Sequence, residues 1–167
     1  MSTEGKVYPQ PISVITSTLL AYDIEDPMRI VMVELQSAEE GTVVLPGGIY
    51  DHDRHRDPLE TGVTELTEET GLVAATEPVN FGIDLRKNRD RREFRGMQTD
   101  HCCDFLLSVP VSGEFKPVDV QEVRKVVWMD TRTLDPKKVG RGHYETIRLW
   151  LTWMSNPDKA LVYLRGK

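Results

Sequence analysis

The order of elements read from the sequence predicts an α/β (α+β) fold, a mixed sheet packed between helices. Three observations carry that prediction. Runs rich in β-branched residues recur on both sides of one amphipathic helical stretch. That stretch is bracketed by strong start and stop residues, Asp57-Pro58 and Gly71. A second pattern of helical spacing lies near the C-terminus, with no internal repeat, linker or low-complexity tract before it. The resulting order, β-β-β-α-β-β-β-α, packs as an α/β/α sandwich. A length of 167 residues suits one domain with a full core, so 1–167 is expected to be a single domain.

Residues 1–11 form a polar lead-in, in which Pro9 and Pro11 discourage helix. A strand is predicted over 12–22, a turn over 23–27 and a second, buried strand over 29–35. After a turn at 37–41, a short strand over 42–45 feeds the Gly47-Gly48 pair. The central helix begins at Asp57, an N-cap residue, followed by Pro58 at the first helical position. It stops at Gly71, because glycine accepts the left-handed conformation just past a helix end. Leu59, Val63 and Leu66 recur at i, i+4 and i+7 and make a stripe that can pack on a sheet. Further strands are predicted over 78–85, 101–110 and 123–130. A loop from Asp135-Pro136 reaches Gly142. A helix over 143–154 then places Ile147, Leu149, Trp150, Leu151 and Met154 at helical spacing, and a late strand covers 160–164.

The chemistry concentrates on the central helix. Glu65, Glu68 and Glu69 stand at i, i+3 and i+4 and project from one helical turn. At ~6 Å and an effective dielectric of ~20, each like-charged pair costs about 3 kcal/mol. Helix stability does not call for that arrangement. A hard divalent cation would reverse its sign, because Mg²⁺ takes carboxylate oxygens and bridges them to phosphate.

From Leu45-Pro46-Gly47-Gly48 to Gly71-Leu72 the chain resembles a Nudix box, the signature of the Nudix hydrolase superfamily. That signature is Gly, five residues, Glu, seven residues, Arg-Glu, an aliphatic residue, any residue, Glu-Glu, any residue, Gly and an aliphatic residue. Glu65-Leu66-Thr67-Glu68-Glu69-Thr70-Gly71-Leu72 matches its closing half. The resemblance implies a Nudix-like α/β/α sandwich with a mixed sheet over nearly the whole chain. It also implies that Glu65, Glu68 and Glu69 bind catalytic metal, Mg²⁺ or Mn²⁺.

This chain departs from the signature in three places. Gly48 precedes Glu65 by 17 positions where the signature has 15, so two residues are inserted. Thr64 stands where the family has arginine, and Arg56 where it has an earlier glutamate. In the family that arginine holds a helix glutamate in place. A charge-assisted hydrogen bond of that kind is worth roughly 1.5–3 kcal/mol. Its loss predicts a rate penalty of about ten- to a hundredfold.

Other candidates lie outside the box. Six basic residues fall between Arg86 and Arg95. Arginine forks suit phosphate oxygens, so Arg86, Arg89, Arg91 and Arg92 are candidate contacts for a diphosphate. A solvated loop whose charges partly cancel against Asp90 and Glu93 is the competing reading, and a homodimer contact is a third. Glu122, just before the strand that contains Trp128, resembles the loop glutamate that binds metal or acts as base in many Nudix proteins. The inserted stretch 51–57 holds His52 and His55 with three aspartates. Its spacing matches no recognised zinc pattern and no cysteine is near, so it reads as a solvated loop.

Composition narrows the partners. Hydrophobic residues make up 39% and charged residues 29%, an ordinary globular balance. A net charge of −6 and a pI near 5.3 argue against polymeric nucleic acid or anionic membranes as partners. No apolar run approaches a membrane span, and the first residues lack an apolar signal core. Cys102 and Cys103 are adjacent and read as reduced, which points to the cytoplasm.

Together these readings lead to one expected activity. Mg²⁺ or Mn²⁺ would assist hydrolysis of the pyrophosphate bond in a nucleoside diphosphate linked to another moiety. Glu65 or Glu69 is the expected base, with Glu122 a third option, and Gly47 and Gly48 lie close to the substrate. The alternative is a Nudix-fold module that binds nucleotide or protein with little catalysis.

Overall fold

The computed structural model describes residues 13–87, 93–94, 97–98, 101–158 and 161–165. The framework is a mixed sheet built on β1 (Ser13–Asp23), which runs parallel to β8 (His101–Ser112) along its whole length. Beyond β8 lie β5 (Val79–Lys87), antiparallel to it, and β10 (Leu161–Arg165), parallel to β5. On the other side of β1 come β2 (Arg29–Leu35) and then β9 (Val123–Asp130), each antiparallel to its neighbour. The short β3 (Gly47–Ile49) and β4 (Val73–Ala74) pair with β1 and β8. A separate two-stranded ribbon joins β6 (Glu93–Phe94) to β7 (Met97–Gln98).

Period-two alternation sends side chains from these strands to the two faces of the sheet. On one face Leu20, Ile30, Met32 and Leu106 pack with Ile147 and Trp150 of α2 (His143–Ser155). On the other, Leu19, Ala21, Val31, Leu107 and Val109 pack with Leu66 of α1 (Pro58–Thr70). The fold is therefore the expected mixed sheet between helices. Trp150 is wholly buried, and its indole N–H donates to Ser108 Oγ at 2.8 Å, so its one polar atom is satisfied.

The ends of α1 form as their residues dictate. Asp57 Oδ1 accepts from the Glu60 N–H at 2.9 Å, and Pro58 opens the helix. Gly71 closes it at φ 75°. The packing face differs from the predicted stripe. Leu66 is buried, but Leu59 and Val63 are only partly so, and the buried face runs through Thr61, Gly62, Leu66, Glu69 and Thr70. Gly62 explains the shift. A Cβ there would lie 2.5 Å from Leu19 Cδ1 and 2.7 Å from Leu107 Cδ1. The helix rests on the sheet through its small residues, so the acidic side is drawn inward with it.

The short strand expected over 42–45 is displaced. Val43 and Val44 form only isolated bridges, to Val139 and Val33. The paired strand is the glycine pair with Ile49, set against Thr16, Ser17 and Thr18 of β1. Without side chains these glycines can lie flat on β1, which periodicity does not reveal.

Candidate active site

The site forms where β3 crosses under the last turns of α1. Glu69 turns back toward β3, and its Oε2 accepts the Gly47 N–H at 3.0 Å. It is 5% exposed. Burial, with the charges of Glu65 and Glu122, pushes its carboxyl up to about 8 despite the Gly47 hydrogen bond. Glu65 is raised to about 7, again chiefly by burial, with Glu68 and Glu122 adding to it. Gly48 makes room for this side chain, since a Cβ there would lie 2.3 Å from Glu65 Oε1.

The 116–122 loop closes the other side. The Val118 and Asp119 N–H groups both donate to the Glu68 carbonyl, at 2.8 and 3.0 Å, satisfying an acceptor at the helix end. Asp119 Oδ1 accepts from the Gln121 and Glu122 N–H groups, and this turn presents Glu122 just before β9. Glu122 is exposed, and its charge reaches both Glu65 and Glu69. The acidic centre thus combines Glu65, Glu68, Glu69 and Glu122, with Asp119 adding its charge against Glu65. Asp119 was missed by sequence reading. Its only local signal is the Asp-x-Gln-Glu turn, and nothing in that turn says it faces a helix 50 residues away.

Among the described residues, two cations border this centre. Arg54, from the inserted stretch, places Nη2 at 3.4 Å from Glu68 Oε1. Arg141 comes from another segment, the Gly140-Arg141-Gly142 turn, and its charge bears on Glu69. Among the described residues it is the non-glycine residue with positive φ, at 56°, a conformation that costs about 1–2 kcal/mol. His143 fixes that turn, because its Nδ1 accepts the Leu45 N–H at 2.9 Å. Sequence reading overlooked both arginines.

The basic stretch contributes less to this picture. Arg86 is on β5, opposite Cys102 of β8 and Arg165 of β10. Arg89, Arg91 and Arg92 lie outside the described residues. The inserted stretch is not wholly a solvated loop. His52 is exposed, but His55 is 5% exposed and its Nδ1 lacks a hydrogen-bond partner. Its backbone folds into a turn in which the Arg54 and His55 N–H groups both donate to the Asp51 carbonyl. Among the described residues, Asp51, His52 and Asp53 are the group whose ligand atoms lie within 4.8 Å of one another. The helix glutamates are spread more widely, Glu69 toward Gly47 and Glu68 toward Arg54.

The raised carboxyls have a consequence for the protein stripped of divalent ions. Between about pH 4.5 and 8, folded Glu65 and Glu69 hold protons that their unfolded counterparts have lost. Stability therefore falls as pH rises through that window. In EDTA, the melting temperature is expected to be higher at pH 5 than at pH 8, and Glu69→Gln should flatten that slope. A melting temperature that rises steadily over the same range would contradict the burial of these groups.

The NUDIX domain profile matches residues 16–150. The chain therefore belongs to the NUDIX family and is a Nudix-type hydrolase. A Nudix hydrolase from Nitrosomonas europaea shares the fold at a TM-score of 0.67 and 12% identity, over 96% of this chain and 81% of that one. An ADP-ribose pyrophosphatase from Streptococcus suis superposes at 0.61 with 18% identity, over 90% and 98%. A UDP-X diphosphatase does so at 0.60 with 19% identity, over 97% of this chain and 70% of its own. No curated protein sequence matches the chain significantly. Among the described residues, no helix is long and apolar enough to cross a membrane.

Proposed function

We propose that the chain hydrolyses the pyrophosphate bond of a nucleoside diphosphate linked to a second group, with Mg²⁺ or Mn²⁺ at the helix glutamates. The observation that carries this reading is the pair of half-buried Glu65 and buried Glu69, each carboxyl raised by burial and by the shared neighbour Glu122, with Glu68 beside it and two glycines against it. The donor set fits the ion. It is oxygen only, which suits a hard cation, and its charges are held at a cost that a doubly positive centre would offset. Glu65, Glu68 and Glu69 would hold it. When bound, such an ion neutralises charge on phosphoryl oxygens and makes water a better nucleophile at neutral pH.

The protein's own groups supply the rest. The Gly47 N–H holds the Glu69 carboxylate in one orientation. Glu65 or Glu69 takes the proton of the attacking water as general base, and Glu122, free on the solvent side, is the third candidate. Arg86, Arg89, Arg91 and Arg92 are proposed to contact the diphosphate. The names of the Streptococcus suis and UDP-X neighbours support small nucleotide diphosphates as the substrate class. The negative net charge supports that class over polymeric nucleic acid.

A screen of ADP-ribose, nucleotide sugars, dinucleoside polyphosphates and nucleoside triphosphates with Mg²⁺ or Mn²⁺ tests this. Metal-dependent release of a nucleoside monophosphate from a diphosphate-linked substrate is expected. Mn²⁺ binding without turnover of any of them would replace the hydrolytic reading with that of a nucleotide-binding module.

A further inference from the structure

We propose that Arg54, carried by the two-residue insertion, is the positioning cation for the helix glutamates, replacing the arginine that Thr64 displaces. This rests on the metal-holding role proposed above for Glu68. Helix α1 carries Glu60, Glu65, Glu68 and Glu69 and no basic residue, so any cation that orders its acidic side must come from another segment. Arg54 meets that need, with Nη2 3.4 Å from Glu68 Oε1. Arg56, two residues on, does not. Its Nε binds Asp57 Oδ2 at 3.1 Å, away from the three glutamates.

The loop that presents Arg54 is built for it. The Asp51 carbonyl accepts from the Arg54 and His55 N–H groups at 3.0 and 2.8 Å, and Asp51 Oδ1 accepts from the Asp53 N–H at 3.0 Å. Buried His55 anchors the next position, so the Arg54 backbone is fixed while its side chain reaches across to α1.

The pair is not there for stability. The Arg54 and Glu68 side chains are 57% and 41% exposed, and ion pairs in that setting contribute little. Its place is what matters. Arg54 and Glu68 line a cleft of about 440 Å³ with Val118, Asp119, Val120 and Gln121. The guanidinium holds the Glu68 carboxylate at the wall of that cleft, one helical turn from Glu65. Without it, nothing among the described residues ties Glu68 in place, and repulsion from Glu65 would turn it away from its neighbours on the helix.

The test uses the full chain and five variants: Arg54→Ala, Arg54→Lys, Glu68→Gln, Arg54→Ala combined with Glu68→Gln, and Arg54→Ala combined with Thr64→Arg. Mn²⁺ affinity, followed by electron paramagnetic resonance, is read beside kcat and KM. Arg54→Ala is expected to weaken Mn²⁺ binding about tenfold, as loss of an orienting outer partner does. It should lower kcat about ten- to a hundredfold with KM nearly unchanged. Lysine should restore part of both, and Thr64→Arg should restore most. In a Glu68→Gln background, removing Arg54 should change neither.

Three results would overturn the assignment. One is an unchanged Mn²⁺ affinity and kcat in Arg54→Ala. Another is an Arg54→Ala effect that is equally large without Glu68. The third is a raised KM at unchanged kcat, which would make Arg54 a substrate contact instead. Should the unaltered protein turn over no substrate, the hydrolytic reading fails by itself, and the Mn²⁺ arm still decides the role of Arg54.

Discussion

Glu69→Gln is expected to reduce kcat by about 10²–10⁴-fold while the protein stays folded. Glutamine matches glutamate in size, and its carbonyl oxygen can accept the same Gly47 N–H. Removing a charge from this position does not weaken the fold. Glu69, raised to about 8, is already mostly protonated at neutral pH when no cation is bound. The loss therefore falls on the chemistry, because a neutral amide neither takes a proton nor counters a divalent charge. Steady-state turnover with Mg²⁺, beside a thermal melt in EDTA, checks both halves. A variant that keeps its melting temperature and retains more than a tenth of the original kcat would remove Glu69 from the reaction.

Gly47→Ala is expected to be the most damaging single methyl addition at the site. At φ +155°, an added Cβ would lie 2.1 Å from the Ser17 carbonyl oxygen and 3.0 Å from Thr18 Cα. Both contacts are backbone of β1, a central strand, so no side chain can move aside. A cost of about 3 kcal/mol or more follows, or a fall in melting temperature of roughly 6–12 °C for a domain of this size. Activity should fall with it, since the displaced N–H no longer holds Glu69. The neighbouring glycine provides the contrast. A Cβ on Gly48 meets the Glu65 carboxylate at 2.3 Å, the movable end of a side chain. Gly48→Ala should keep most of the stability and lose turnover through a displaced Glu65. Equal melting temperatures for the two variants would argue against the tight seating of β3 on β1.

Much of the framework could be read locally. Asp57-Pro58 and Gly71 set the ends of α1, since capping and left-handed backbone depend on residues within one turn of each other. Strand β9 begins and ends where β-branched density predicts, as does β2. The glutamate spacing likewise places three carboxylates on one side of a helix whatever surrounds it.

The errors share one cause. The stripe Leu59-Val63-Leu66 ranks positions by hydrophobicity, yet α1 packs through Gly62, where absence of a side chain lets Leu19 and Leu107 close in. Propensity puts a strand over 42–45 because it favours valine, but pairing falls on two glycines that only β1 makes useful. His55 reads as polar and lies buried.

The sequence by itself determined the helix that carries the acids, its limits, the family it belongs to and the kind of ion its oxygens suit. These depend on neighbours within a turn or two, and such distances are written in the order of residues. Only the tertiary structure decided that Glu69 is buried against Gly47, that Asp119 joins the cluster beside Glu122, and that Arg54 reaches Glu68. Each of those meets a partner from another segment, and their carboxyl energies depend on how much water the packing between segments leaves behind.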